Sequence, residues 1–167
     1  MNKSKAILKS RAKSNALIID KQIDKAKLRF LVFRVVKEIY AIEQKWVKEV
    51  VKVRGFTEIP GTPDFVIGVA NIRGAIYSAI NINRFLSSKE YGLSELDKVL
   101  IVSNGVTEYG IVADEIIGFS DTLAESISEM PDNFNDIYRE FIEGICKNGA
   151  LILNGRALTD NKKIIID

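Results

Sequence analysis

The sequence predicts an all-β, strand-rich fold with short helices, arranged in two halves of about five strands each. From Leu28 onward, short β-branched runs alternate with turn residues, which is the pattern of a β-barrel or sandwich. Asn104-Gly105 lies between two of these runs, and Asn-Gly tolerates the positive φ angles of a tight hairpin. Pro60 and Pro63 force an extended crossover loop, because each pushes its preceding residue out of the helical region.

The first half is predicted to contain five strands. Leu28–Val36 and Ile39–Glu43 form a pair across a connection of hairpin length. Trp46–Arg54 alternates a mainly apolar face with a mainly basic one, so we expect a half-buried strand, entered through a helical turn. The remaining two strands of this half are Phe65–Ile72 and Ala75–Ile82.

A polar stretch, Ser87–Asp97, is the predicted boundary between the halves. It follows one helical turn at Asn83–Leu86. The second half opens with a hairpin made of Val99–Val102 and Tyr109–Ile117, whose turn contains the Asn-Gly pair.

The rest of the second half is less regular. Thr122–Met130 is predicted as a loop or short helix, and Asn133–Tyr138 as polar and irregular. A last hairpin consists of Glu140–Lys147 and Ala150–Leu153. Because no residue-level repeat links the two halves, any duplication would lie in the fold only.

The residue types that the chain lacks exclude most catalytic chemistry. It has no histidine and one cysteine, Cys146, so histidine-based triads, histidine zinc sites, thiolate cages and internal disulfides are excluded. We expect no catalytic residue, no cofactor and no metal. Because the sequence also has neither a span of about 18 uncharged apolar residues nor the apolar block of a signal peptide, we expect a cytoplasmic protein.

Charge is divided unevenly along the chain, whose formal net charge is +2. Residues 1–29 hold nine basic side chains against Asp20 and Asp24, which gives +7; the remaining 15 basic and 20 acidic side chains give −5. We interpret residues 1–27 as a solvated basic leader. Its contact with nucleic acid or an anionic membrane surface, or docking of a short amphipathic helix within it, is the alternative.

One motif in the first half is specific enough to indicate a family. The stretch GVANIRGAI, Gly68–Ile76, resembles the GV-x-N-L-R-G-x-I signature of CheW-like domains. Four flanking stretches are similar to the family in the same order, namely Phe30–Glu43, Lys48–Val50, Ile59–Phe65 and Tyr109–Glu115. The resemblance covers roughly Leu28 to Leu158, which is nearly the whole body.

The resemblance implies a fold, a role and partners. The fold would be two SH3-like five-stranded barrels sharing a core, within a domain of residues 28–160 whose subdomains span about 28–86 and 98–160 and could intertwine at their ends. The role would be that of a non-enzymatic adaptor, which links the cytoplasmic tip of a chemoreceptor to the regulatory domain of the histidine kinase CheA. We expect no small-molecule substrate, no nucleic acid, and contact with a membrane only through receptors.

Five residues match family positions that the resemblance assigns to partner binding: Val47, Glu49, Asn71, Ile72 and Arg73. Arg73 offers a planar donor fork suited to a partner's carboxylate or carbonyl groups, and Asn71 can bond neighbouring backbone. The alternative is structural. Asn71 and Arg73 would then satisfy a turn and a solvated edge, Val47 would be core, and Glu49 a solvated charge.

Two departures from the family pattern bear on this assignment. After the motif, Ile76–Ile82 lacks the family's proline and aspartate, which could mark a partner surface adapted to another pathway, such as surface motility. At the end, Leu151–Leu158 contains Gly155, which disfavours the family's closing helix.

Two other functional classes agree less well with the sequence. Acidic pairs such as Asp114-Glu115 are more often a solvated face than a catalytic pair, and no phosphate-binding glycine loop is present. A nucleic-acid-binding small β-barrel is the main alternative, favoured by the basic leader. Its weakness is the acidic body.

Overall fold

The computed structural model describes residues 5–11, 26–87 and 97–164. Most of the predicted basic leader, residues 1–27, and most of the predicted boundary stretch, Ser87–Asp97, lie outside the described residues. Residues 5–11 form a short helix, α1. Within the described ranges, no helix is both long enough and apolar enough to cross a membrane.

Ten strands and four short helices make up the described structure. The strands are β1 Lys27–Val35, β2 Glu38–Glu43, β3 Val47–Lys52, β4 Val66–Ile72, β5 Ala75–Ile80, β6 Lys98–Ser103, β7 Glu108–Ala113, β8 Glu115–Leu123, β9 Ile142–Ile145 and β10 Leu151–Leu153. The other helices are α2 Ile82–Ser87, α3 Asp136–Phe141 and α4 Gly155–Asp160, and single 3-10 turns cover Gln44–Trp46 and Ala124–Ser126. The predicted strand-rich fold is confirmed, as are the hairpins β1–β2, β4–β5, β6–β7 and β9–β10.

The strands form two five-stranded sheets that do not follow the two sequential halves. One sheet has the order β8-β1-β2-β10-β9, and the other has the order β3-β6-β7-β5-β4. The first sheet therefore takes two strands from the start of the chain and three from its end. The subdomain limits 28–86 and 98–160 do not coincide with sheet membership, because each sheet draws on both ranges.

The predicted strand Tyr109–Ile117 is wrong as a single element. It divides at Asp114, so that β7 belongs to one sheet and β8 to the other. The Asp114 amide donates to the Arg34 carbonyl at 2.9 Å, and its carboxylate accepts from the amide of Val36, which has a positive φ of 58°. These bonds attach the crossing point to the β1–β2 turn.

The two sheets have the same topology. In sequence order, β3, β4, β5, α2, β6 and β7 correspond to β8, β9, β10, α4, β1 and β2, so the first sheet is a circular permutation of the second. The parallel pairs β5–β7 and β10–β2 are equivalent. The duplication therefore lies in the fold, and no residue-level repeat in the sequence accompanies it.

Both sheets are open as hydrogen-bonded ladders. The end strands are β3 and β4 in one sheet and β8 and β9 in the other. A single antiparallel bridge links the two ends of each sheet, Thr57 to Val69 in one and Ser128 to Ile145 in the other. Each sheet has the five strands expected of a barrel. In neither sheet does the hydrogen-bonded ladder continue from one end strand to the other.

Two helices correct the predictions for the second half. α3 covers residues 136–138, predicted as irregular, and the first two residues of the predicted strand Glu140–Lys147. The Asn135 side chain caps this helix by accepting from the Tyr138 amide at 3.0 Å. α4 forms although Gly155 disfavours a helix. Gly155 is its first residue, where the cost is small, and Asn154 caps it through the Ala157 amide at 2.9 Å.

The core lies in three clusters. The largest is shared by both sheets and includes Phe33, Tyr40, Leu100 and Ile111, each 1% exposed or less. A second cluster lies inside the β3–β4 sheet and a third inside the β8–β9 sheet. This arrangement fixes the sheets against each other and leaves their rims to present functional side chains.

Candidate partner-binding surface

The β4–β5 turn carries the centre of the recognised motif. Arg73 and Gly74 both have positive φ angles, 52° and 89°, as a two-residue hairpin turn requires. The Asn71 amide oxygen accepts from the Gly74 amide at 2.9 Å. Asn71 therefore stabilises the turn, as its structural interpretation predicted, while Arg73 points outward with 78% of its side chain exposed.

Arg73 is joined to Glu49 across the open side of the sheet. Its Nη1 donates to Glu49 Oε2 at 2.8 Å, and the Glu49 side chain is 26% exposed. Glu49 lies on β3 and Arg73 directly follows β4, so the pair connects the two end strands of one sheet. The sequence-predicted site residues Glu49, Asn71 and Arg73 are thus brought together.

A surface gap lies beside this ion pair. It has a volume of about 570 Å³ and is lined by residues 50–55 on one side and residues 71–73 on the other; we call it the β3–β4 gap. Farther along the strands the Thr57–Val69 bridge links the two ends of the sheet. At that point Gly68 has φ +140°, and a Cβ on it would lie 2.4 Å from the Thr57 carbonyl oxygen. Only glycine permits this close crossing.

The two apolar site candidates lie in different environments. Ile72 is 8% exposed and belongs to the core cluster inside its sheet, so its contribution to a surface is to hold the turn in place. Val47 is partly buried against the shared core. It also lines a separate depression of about 500 Å³, together with Trp46 and Lys48.

A polar cluster beside this depression was not predicted from the sequence. Lys48 Nζ donates to both oxygens of Glu108, at 2.7 and 2.9 Å, and to the Tyr77 hydroxyl at 3.3 Å. The hydrogen bond with Glu108 raises the pKa of Lys48, and the bond with Lys48 lowers the pKa of Glu108. The three residues come from β3, β5 and β7, so only the pairing of the strands brings them together. Tyr77 lies where the chain departs from the family pattern.

Several apolar side chains are exposed on the described surface. Ile76 follows the motif turn and is 64% exposed, and Val106 lies in the β6–β7 turn and is 92% exposed. On β8, Phe119 is 52% exposed, with the Arg29 guanidinium 5.0 Å from its ring centre. Because β8 belongs to the other sheet, exposed apolar surface is present on both sheets.

Nothing in the described ranges resembles a metal site. No three acidic or cysteine side chains come together there in a way that could hold an ion. Cys146 is buried, and burial raises the pKa of its thiol, which disfavours the reactive thiolate. The geometry of this surface is suited to protein recognition through an ion pair, a tight turn and exposed apolar groups.

Comparisons with known proteins agree on one family. The model of the CheW-like domain matches residues 29–163. The chain is similar to the chemotaxis protein CheW of Klebsiella aerogenes, 30% identical with 81% of this chain and 80% of that protein covered. It is also similar to CheW of Treponema pallidum, 26% identical with 85% and 88% covered. The crystal structure of the scaffolding protein TtCheW from Thermoanaerobacter tengcongensis superimposes with a TM-score of 0.69 at 25% identity, covering 84% of this chain and 99% of that one.

Proposed function

The chain belongs to the CheW-like family and has the role of a chemotaxis adaptor, and we propose that it couples the cytoplasmic tip of a chemoreceptor to the regulatory domain of a CheA-type histidine kinase. In this proposal the protein is cytoplasmic, catalyses no reaction, and meets the membrane only through receptors. The CheW-like domain would span residues 28–160, following the leader at residues 1–27. Each sheet would act as an SH3-like barrel.

The observation that carries the proposal is the Arg73–Glu49 pair on a rigid turn. Arg73 is held in a left-handed conformation by the hairpin, and its exposed guanidinium keeps donors beyond those that contact Glu49. An exposed ion pair of this kind contributes only about 0–1 kcal/mol to stability. Its placement is therefore better explained by recognition of a partner than by a need of the fold.

The five predicted residues have unequal roles in this proposal. Arg73 and Glu49 would contact a partner, since both reach the surface. Asn71 and Ile72 would act indirectly by fixing the turn, through the bond to the Gly74 amide and through core packing. Val47 would form the apolar edge of a contact, because it is partly buried beside the depression described above. A receptor tip would bind in the groove between the two sheets, and the kinase domain on a barrel face.

The test is assembly with both partners. The purified protein is mixed with a receptor cytoplasmic fragment and a CheA-type kinase that lacks its phosphotransfer domain, and the mixture is sedimented. We expect the protein in the pellet only when receptor and kinase are present. If the folded protein remains in the supernatant, the coupling proposal is wrong.

A further inference from the structure

The β3–β4 gap offers backbone edges on both of its sides. Within the described residues, β3 and β4 are the two end strands of their sheet. The Val53 amide donates to the Asp97 carbonyl at 2.7 Å on the β6 side. The backbone groups of successive strand residues point to opposite sides of the strand. Val50 lies three residues before Val53, so its backbone groups point away from β6 and toward the gap.

The opposite side of the gap has the same property. Val69 exchanges backbone hydrogen bonds with Thr57, each of 2.8 Å. Asn71 lies two residues farther along β4, so its backbone groups point in the same direction as those of Val69, past the end of the bridge. The two end strands therefore diverge beyond the bridge, and each turns backbone groups toward the opening.

The charged side chains that line the gap are all basic. Lys52, Arg54 and Arg73 line it, and all three are exposed. Lys52 is paired with Asp97 at 2.8 Å and Arg73 with Glu49 at 2.8 Å. Exposed pairs of this kind contribute little, so a partner's carboxylates can replace them at small cost.

We propose that the β3–β4 gap binds an extended acidic peptide segment, which adds as a strand to the edge of β3. Backbone hydrogen bonds would supply affinity, and alternate acidic side chains would contact Lys52, Arg54 and Arg73, as in recognition by strand addition. A volume of about 570 Å³ falls in the usual range of a binding pocket, roughly 300–1,000 Å³. The site goes beyond receptor and kinase coupling, because it requires an extended segment and uses Lys52 and Arg54, which are not among the five residues assigned above, together with Arg73, which is.

The probe is a fluorescent peptide that alternates glutamate and valine over about six residues, the usual length of a strand. Binding is measured by fluorescence anisotropy at low and at physiological salt. Two peptides serve as controls: one has lysine in place of each glutamate, and the other has a central proline, which removes an amide donor. We expect saturable binding of the acidic peptide that weakens with salt, and at least about tenfold weaker binding of both controls.

Protein variants locate the site. The double variant Lys52→Glu, Arg54→Glu is expected to weaken acidic-peptide binding about tenfold or more. Lys147→Glu changes an exposed lysine beside the equivalent gap of the other sheet and is expected to have no effect. Thermal unfolding verifies that both proteins fold, and amide hydrogen exchange at Val50 is expected to slow when the peptide binds.

Several results would overturn the proposal. They are absence of binding, equal binding of the lysine or proline peptide, equal binding by the double variant, and unchanged exchange at Val50. A dimer of the wild-type protein that the double variant abolishes would also overturn it, because a second copy would then occupy the β3 edge. The double variant is also co-sedimented with receptor and kinase. This measurement distinguishes failure of the peptide-binding proposal from failure of the adaptor function.

Discussion

The two sheets share one topology and differ in the side chains at their rims. Each has three consecutive strands, a helix and two further strands, and one bridge links the two ends of each sheet, Thr57 to Val69 or Ser128 to Ile145. The β8–β9 sheet has its own gap of about 340 Å³, lined by residues 120–123, 126 and 146–148. Polar uncharged side chains and the buried Cys146 predominate there, whereas the β3–β4 gap carries three basic residues. The two sheets are equivalent scaffolds, and the side chains at their rims distinguish the functions of the two sheets.

Each sheet has one glycine next to its bridge. Gly68 on β4 and Gly144 on β9 occupy equivalent places, each beneath the segment that crosses to form the bridge. A Cβ on Gly68 would lie 2.4 Å from the Thr57 carbonyl oxygen, and one on Gly144 would lie 2.8 Å from the Ser128 carbonyl oxygen. The two bridges therefore depend on glycine for the same steric reason.

The largest expected effect is that of replacing these glycines. Gly68→Ala should lower the free energy of unfolding by roughly 3 kcal/mol or more, because it combines a backbone clash with a positive φ. Gly144→Ala should cost about 1–3 kcal/mol, since it has the clash without the positive φ. Urea unfolding followed by circular dichroism measures both. Equal costs would mean that the positive φ of Gly68 does not distinguish the two bridges.

Acid is expected to have a smaller effect, and it should lower the stability of the β3–β4 sheet more than that of the β8–β9 sheet. Hydrogen bonds with Lys52 and Lys98 lower the pKa of Asp97 to about 2, and the bond with Lys48 lowers the pKa of Glu108. A carboxylate with a lowered folded-state pKa stabilises the fold above its unfolded pKa, and that contribution is lost as pH falls. Glu143 on β9 differs, because burial raises its pKa, so protonation favours its folded state.

The measurement is amide hydrogen exchange resolved by residue as pH is lowered from about 5 toward 2. After correction for intrinsic rates, protection of β6 and β7 should decrease before that of β9 and β10. Asp97→Asn should remove part of this pH dependence, and Asp121→Asn, an exposed aspartate on β8, serves as the control. Simultaneous loss of protection in both sheets would contradict the assignment of acid sensitivity to the β3–β4 sheet.

The smallest stability effect is expected at the motif turn. Arg73→Glu removes an exposed ion pair and places two carboxylates near each other, which should change the free energy of unfolding by no more than about 1 kcal/mol. Thermal unfolding of this variant beside the wild type provides the measurement. A loss of several kcal/mol would mean that Arg73 serves the fold rather than a partner.

Local sequence patterns predicted most strands because turn chemistry and period-2 alternation act over a few residues. The β6–β7 and β9–β10 hairpins follow from such signals. The division at Asp114 could not be predicted in this way. It depends on hydrogen bonds to Arg34 and Val36, which are distant in sequence.

The candidate site shows the same limit. The motif identified Asn71 and Arg73, and their placement on the turn follows from the hairpin geometry. The pairing of Arg73 with Glu49, and the cluster of Lys48, Tyr77 and Glu108, depend on which strands are neighbours. The alternation of side chains along one strand does not show which strands are its neighbours. The prediction at Gly155 is wrong because a low helix propensity acts in helix interiors, whereas Gly155 is the first residue of α4.

The most direct test of the adaptor assignment compares equivalent turns of the two sheets in the co-sedimentation assay. Arg73 lies in the β4–β5 turn, and Lys147 lies in the equivalent β9–β10 turn. We predict that wild-type protein and Lys147→Glu enter the pellet with receptor and kinase, whereas folded Arg73→Glu stays largely in the supernatant. Equal recovery of the two variants in the pellet would contradict the claim that the Arg73 turn is the partner-binding surface.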